Sequence, residues 1–411
     1  MRRFSRRRLF AFLAILGPGI ITAAADNDAG GITTYSVAGS HYGYDFLWLL
    51  AIITVFLIVI QEMSARMGVV TQKGLGELIR EEFGVRWTLF ALVVLLIANL
   101  ATTIAEFAGI SASLGIFGVP PYISVPLSGA LVWFLVVRGS FRTVERVFLF
   151  LALIFGTYII SGFLAKPDWG EVTTSFIRPT FHANSAYIML LIAFVGTTIT
   201  PWMQFFLQAT IVDKGVDIKD YKYQKWDVII GSILTDIVSF FIIVATAAVL
   251  YKHGIRIETA KDAALALEPF AGKYAEALFA FGLFNASLLA AAVLPLSTAY
   301  TYSEAFGWEI GISRRLREAP AFYGIYTFSI VVGMGTAMLP GFDPIKAMVT
   351  SQVVAGVLLP VVLIFMLLLV NNRRLMGSYT NSKLQNVLAG STAAILILLT
   401  LALLVTSFIH V

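Results

Sequence analysis

Asp26 and Asp28 stand two residues apart inside an otherwise apolar stretch, in the run Ala25-Asp26-Asn27-Asp28-Ala29-Gly30-Gly31. A carboxylate at membrane depth is costly, so such groups mark ion pathways or sites that hold charge. On a regular helix, residues two apart point in different directions. Where the chain leaves the helix, both can face one cavity, with freed backbone carbonyls beside them. Gly30 and Gly31 make that departure easy. Hard oxygen donors of this kind suit magnesium, calcium or manganese. Asp28 is the expected cation contact. Asp26 either touches the ion or sets the potential of the entrance, and Ala25 opens the stretch as a secondary candidate. The plainer role for Asp28 is to cap the half-helix that follows it.

A second interruption reads Gly196-Thr197-Thr198-Ile199-Thr200-Pro201-Trp202. Pro201 deprives the preceding turn of a hydrogen bond. Thr197 and Thr200, and less strongly Thr198, offer hydroxyls to a site, although threonines in spans often bond back to their own helix. Trp202 either walls a cavity or packs against a neighbour. Irregular backbone at membrane depth is tolerated only where it lines a cavity or is buried in protein. The two interruptions lie five helices apart, and matched breaks in two halves of a chain point to a transporter's midplane site. Three more polar groups fall within spans: Glu106, Asp236 and Gln352. The plain reading of Glu106 is a neutral, protonated side chain hydrogen-bonded to a neighbouring helix. Glu62 and Arg66, four apart, read as a local ion pair.

The elements that must position these groups are membrane spans. The chain has 411 residues, 58% hydrophobic and 13% charged, with mean hydropathy +0.85. A soluble chain carries about 25% charge. Apolar runs of spanning length recur near 10–38, 45–69, 88–115, 120–138, 146–165, 185–212, 227–250, 274–304, 320–339, 345–370 and 387–408. The whole chain, 1–411, thus reads as a single transmembrane domain of eleven helices. One five-helix half covers about 10–165, a second about 185–370, and the last helix stands outside both. The N-terminus, Thr71–Trp87, Val137–Arg146, Asp213–Lys225, Gly311–Arg317 and Asn371–Lys383 each carry at least three Lys or Arg. The intervening segments are poorer in positive charge, apart from Tyr251–Tyr274. The positive-inside rule then puts the N-terminus in the cytoplasm and the C-terminus outside an inner (cell) membrane.

Composition also excludes. With no cysteine, thiolate zinc and iron–sulfur sites are ruled out. The histidines at 41, 182, 253 and 410 form no helical pair. The net charge of +5 is spread over loops and gives no nucleic-acid footprint. The basic opening MRRFSRRRLF resembles a signal peptide, but no cleavage-type site follows, so it reads as the start of a retained helix. No Ser/His pair, H-E-x-x-H or cysteine nucleophile suggests an enzyme. The expected partners are a divalent ion and the lipid bilayer, with no resident cofactor and no obligate protein partner.

Several runs resemble the Nramp family of divalent-metal transporters. Gln61-Glu-Met-Ser-Ala-Arg-Met-Gly followed by Gly76-Glu-Leu-Ile-Arg80 is similar to the family's second helix and the loop after it. Ala38-Gly39, Tyr42-Gly43-Tyr44 and Leu47-Trp48 match the end of the first helix. Ala105-Glu106-Phe107 matches the third, and Ser351-Gln352-Val353-Val354 with Pro360 matches the tenth. The resemblance covers most of the chain. It implies an all-α LeuT-type fold: two inverted five-helix repeats, helices 1–5 and 6–10, plus helix 11, with helices 1 and 6 unwound at the midplane.

The departures from that pattern are specific. The family's first-helix motif is Asp-Pro-Gly-Asn, where this chain has Asp28-Ala29-Gly30-Gly31. Its sixth-helix motif is Met-Pro-His, with an alanine three residues before the methionine. This chain has Thr200-Pro201-Trp202, with Thr197 at the alanine position. Asparagine and thioether are lost and hydroxyls are gained, which resembles the Nramp-related magnesium transporters. Thioethers favour softer metals and oxygens favour hard ones. Magnesium sheds water reluctantly, and Gly31 leaves space for that water. The family's proton route uses acidic groups on helix 3 and arginines on helix 9. Here Glu106 remains, but Thr103 holds the helix-3 aspartate position and Phe322–Tyr326 has no arginine. The expectation is magnesium (also manganese) uptake by alternating access without proton coupling, the ion largely hydrated. The alternatives are a proton-coupled manganese or iron transporter, or a small-solute transporter such as one for amino acids.

Overall fold

Long apolar runs in a chain that must satisfy its own backbone hydrogen bonds form helices. The computed structural model describes residues 18–138, 156–312 and 314–409, and no strand occurs among them. The helices are α1 (Pro18–Asp26), α2 (Ala29–Tyr42), α3 (Leu47–Thr71), α4 (Leu75–Gly115), α5 (Pro121–Arg138), α6 (Gly156–Leu164), α7 (Trp169–Ile177), α8 (Ser185–Thr198), α9 (Pro201–Asp213), α10 (Tyr221–Val249), α11 (Ala275–Phe306), α12 (Pro320–Ala337), α13 (Pro344–Val370) and α14 (Lys383–Ile409). Short helical turns fill the 251–274 connection. Eight helices or helix pairs among the described residues are long and apolar enough to cross a membrane. The other three expected spans are the interrupted α1–α2, α12, and the fifth span, of which only α6 is described. The basic N-terminus, most of Val137–Arg146 and the start of the fifth span lie outside the described residues.

Expected loops contain helices, short ones within 251–274 and at Arg373–Met376 and longer ones in two other places. Thr71–Trp87 was expected to be a loop ahead of a third span starting at 88. Instead α4 begins at Leu75 and runs 41 residues, with Gly84 at φ 74°, ψ −178° inside it. A straight helix of that length would measure about 62 Å, twice a bilayer's hydrocarbon core. The positive φ at Gly84 turns the short leading helix away from the span. Its charged residues imitate a loop, while Leu75, Leu78 and Ile79 bury its apolar face. In the Ala165–Ser185 connection, α7 is capped by Asp168, whose Oδ1 accepts the amides of Gly170 (2.9 Å) and Glu171 (3.2 Å).

The core is built on α4, which packs along α11 and α13, while α8 lies against α13 and α10 against α1, α2 and α3. Small residues allow these approaches. A Cβ on Gly196 would lie 2.3 Å from the Gln352 carbonyl and 2.4 Å from Gly356 N, so α8 and α13 touch backbone to backbone.

Both expected interruptions are present, but the first is shorter than Asp26–Gly31. Helix α1 includes Asp26, and α2 restarts at Ala29, so only Asn27 and Asp28 leave the helix. Gly30 and Gly31 are helical. The reason is the cap: Asp28 (φ −75°, ψ 177°) accepts from Gly31 N through its side chain at 2.5 Å, and its carbonyl accepts from Ile32 N at 2.9 Å. The second interruption is Ile199–Thr200, with α9 starting on Pro201. Thr200 is extended (φ −79°, ψ 146°), as the residue before a proline is driven to be. Pro201 lacks only an N–H that a first helical turn leaves free.

Candidate ion site between two interrupted helices

The helix ends meeting here carry unsatisfied backbone groups. The last carbonyls of α1 and α8 form the negative ends of two half-helices, and the first amides of α2 and α9 form positive ends. Into this junction the sequence places oxygen donors. A Cβ built on Gly31 would lie 3.0 Å from the Asp26 carbonyl oxygen, 3.0 Å from Thr197 Oγ1 and 3.1 Å from Asp28 Oδ1. Three oxygens from three segments therefore face space that only glycine leaves open.

The surroundings are fully enclosed. Asp26, Asp28, Thr197, Thr200 and Glu106 are each at most 2% exposed. Apart from Asp28, each keeps a polar atom with no hydrogen-bond partner among the described residues: Asp26 Oδ1, Thr197 Oγ1, Thr200 Oγ1 and Glu106 Oε1. Buried polar atoms are normally satisfied, so orphans on residues at or beside the two breaks fit a cation with its water. No group of three His, Asp or Glu side chains close enough to cage an ion occurs among the described residues.

Gln352 and Glu106 complete the shell around Asp28. Gln352 Nε2 lies 3.4 and 3.3 Å from the two Asp28 oxygens, while its Oε1 is unpartnered among the described residues. Gly30 permits this, because a Cβ there would fall 1.9 Å from Gln352 Nε2. Glu106 Oε2 accepts the Ala29 amide at 3.1 Å, which is the neighbouring-helix hydrogen bond expected of it. Gly109, one turn further along α4, would meet the Ala29 Cβ at 2.5 Å if it carried its own.

Other candidates take plainer roles. Thr198 Oγ1 bonds Phe194 O and the Tyr35 hydroxyl, each at 2.8 Å, so it ties α2 to α8 instead of facing the junction. Thr103 donates to Asn99 O in its own helix at 2.7 Å. Ala25 is buried in α1. Trp202 is 1% exposed, with its ring centroid 6.1 Å from that of Phe206. Its Nε1 is unpartnered among the described residues, and its carbonyl accepts from Ser297 Oγ at 3.1 Å. Glu62 and Arg66 do pair, at 3.4 Å. Arg66 also reaches Tyr379 O, Thr380 O and Asn381, and Glu62 receives Tyr221 and Gln385.

Sequence reasoning did not assign Asn27 a role. Its Nδ2 donates to Thr235 Oγ1 at 2.6 Å, and Ser239 Oγ donates to its Oδ1 at 3.5 Å, so the break is pinned to α10. Polar residues four apart on one face of α10 were the available signal.

The sequence profile of the family described as Nramp, natural resistance-associated macrophage protein-like, matches residues 19–406. A "Divalent metal cation transporter MntH" of Caldanaerobacter subterraneus subsp. tengcongensis is 27% identical over 401 residues, 94% of this chain and 92% of that protein. The Bacillus subtilis protein of the same name is 27% identical over 411 residues, covering 96% and 93%. Among solved structures, the Eremococcus coleocola manganese transporter superposes with TM-score 0.79 at 20% identity, covering 96% of this chain and 87% of that one. MhsT, in complex with L-phenylalanine, gives 0.61 at 16% identity, covering 94% and 98%. The fold is thus the LeuT type, shared by a manganese transporter and by a protein solved with L-phenylalanine bound.

Proposed function

Because the chain belongs to the Nramp family, we propose that it is a divalent metal cation transporter whose ion is held between the Asn27–Asp28 and Ile199–Thr200 breaks. The observation that carries this reading is the convergence of Asp26 O, Thr197 Oγ1 and Asp28 Oδ1 on the space over Gly31. Asp28 supplies the charge, Thr197 and Asp26 O supply neutral oxygens, and Thr200 supplies a further hydroxyl. Gln352 holds the Asp28 carboxylate from α13, and Glu106 holds the Ala29 amide next to it.

The same donor set favours magnesium. None of the three atoms over Gly31 is sulfur, and oxygen donors favour hard cations. A dehydrated magnesium ion demands ligands at about 2.0–2.1 Å, and it usually keeps several waters. Gly31 keeps a methyl group out from between these oxygens, and a water retained by the ion is proposed to stand there. The proposed transport is uptake into the cell across the inner membrane, with a cytoplasmic N-terminus and external C-terminus. Two charges moving inward across about 100 mV gain roughly 4–5 kcal/mol, enough for accumulation without protons. Thr103, bonded back to Asn99 O, offers no titratable group for a relay.

A second reading is a proton-coupled manganese transporter. Glu106 beside Asp28 favours it, because a buried carboxyl there can carry a proton. The printed names of the relatives, divalent metal cation and manganese transporters, favour it too. Proteoliposomes loaded with a magnesium dye and a pH dye separate the readings. Magnesium entry without acidification supports the first. Manganese entry with acidification, and no magnesium entry, supports the second. No flux of either ion would overturn both.

A further inference from the structure

Asp236 lies in the middle of α10 and is not among the oxygens that face Gly31. It is 4% exposed, and both its carboxylate oxygens lack a hydrogen-bond partner among the described residues. The nearby Thr54 hydroxyl donates to Leu50 O at 2.7 Å instead. A buried charge without a partner is costly and calls for one.

Asp236 lines a groove of about 420 Å³ between α3, α7 and α10. That volume is in the range of small-ligand sites. Apart from the Thr54 and Thr173 hydroxyls, the rest of the lining is apolar and aromatic, including Trp169, Phe176, Ile237 and Phe240. Trp169, Phe176 and Ile237 are 42%, 41% and 38% exposed, on a face of the bundle that carries other exposed apolar residues such as Ile233 and Leu234. The groove therefore opens on an apolar flank of the bundle, with α7 of the Ala165–Ser185 connection forming one wall.

We propose that this groove binds a hydrophobic amine that enters from the bilayer. Its single ammonium pairs with the Asp236 carboxylate, and its apolar body lies on Trp169, Phe176 and Phe240. The chemistry is complementary on both counts. The ammonium supplies the charge and the donors that Asp236 lacks, and aromatic rings beside it add cation–π attraction. An inorganic cation would meet, beside Asp236, only the Thr54 and Thr173 hydroxyls in an otherwise apolar wall, too few donors to replace its water. A neutral lipid chain would leave the carboxylate unpaired.

The test needs no transport, so it is independent of the proposed function. The full chain in lipid nanodiscs is titrated calorimetrically with 4-phenylbutylammonium and with neutral 4-phenylbutanol. Saturable binding of one ammonium per chain is expected, with the alcohol more than tenfold weaker. Asp236→Asn keeps the shape, removes the charge and weakens ammonium binding more than tenfold. Ile237→Trp, at an exposed position, fills the mouth and has a similar effect with Asp236 intact, so the test survives if the first variant does not fold. Equal binding of the alcohol, undiminished binding to either variant, or uptake no greater than by empty nanodiscs would overturn the proposal.

Discussion

Asp28 Oδ1 accepts the Gly31 amide at 2.5 Å and lies 3.1 Å from where a Gly31 Cβ would stand. One carboxylate thus closes the first turn of α2 while it borders the space left by the missing side chain. Capping and ion binding are not competing explanations of Asp28, because a carboxylate has enough lone pairs for both.

That double role can be separated by substitution. Asp28→Asn keeps an oxygen for the cap and loses the charge. It should fold with near-native thermal stability yet lose ion affinity by well over tenfold. Asp28→Ala should lose the ion and, in addition, about 1 kcal/mol of stability from the cap. Calorimetric ion titration and thermal unfolding of both variants check this. Retained ion affinity in Asp28→Asn would remove the charge from the proposal.

Gly31→Ala puts a methyl group among three oxygens at 3.0–3.1 Å. These are close contacts, and the methyl takes space proposed for water. Magnesium affinity should fall about tenfold, near 1.4 kcal/mol, with little change in the folded fraction, because Gly31 is already helical. Unchanged affinity would show that the ion does not use this space.

Thr200→Met exchanges a hydroxyl with no partner among the described residues for a thioether. Softer metals should gain, so the flux ratio of manganese or cadmium to magnesium should rise several-fold. Competition assays in proteoliposomes measure it, and an unchanged ratio would detach Thr200 from selectivity.

Gly196→Ala tests the scaffold. Its Cβ would stand 2.3 Å from the Gln352 carbonyl and 2.4 Å from Gly356 N, both backbone atoms that cannot swing aside. Pushing α8 from α13 should cost at least about 1–3 kcal/mol and displace Gln352 from Asp28. A melting temperature equal to the native one would mean that the two helices separate at no cost.

The charged residues 62 and 66 behave as read, but with more partners. Arg66 bonds Tyr379 O and Thr380 O at 3.1 and 3.2 Å, so α3 is tied to the connection before α14. Arg66→Ala should loosen that tie and speed exchange of the amides around 377–382, as followed by hydrogen exchange. Unaltered exchange there would mean the connection is held by other contacts.

The sequence by itself determined the membrane class, most span positions and the two breaks. Apolar runs, prolines and buried charges act locally, and the bilayer leaves the backbone few options. It also marked Asp28, Thr197 and Thr200 by type. What it misjudged were features set by partners distant in the chain. Gly30 and Gly31 look like helix breakers, yet they are helical and serve as clearances, for Gln352 more than 300 residues away and for the site oxygens. Thr198 and Thr200 flank the same break with similar chemistry. Only packing against Tyr35 decides that Thr198 is structural, while the Thr200 hydroxyl is left without a partner among the described residues. Leu75–Phe83 reads as a charged loop because its one apolar stripe has meaning only against the bundle it packs on. Tertiary structure decided these points because each depends on which atoms another helix brings within about 3 Å, the range over which hydrogen bonds and steric clashes act.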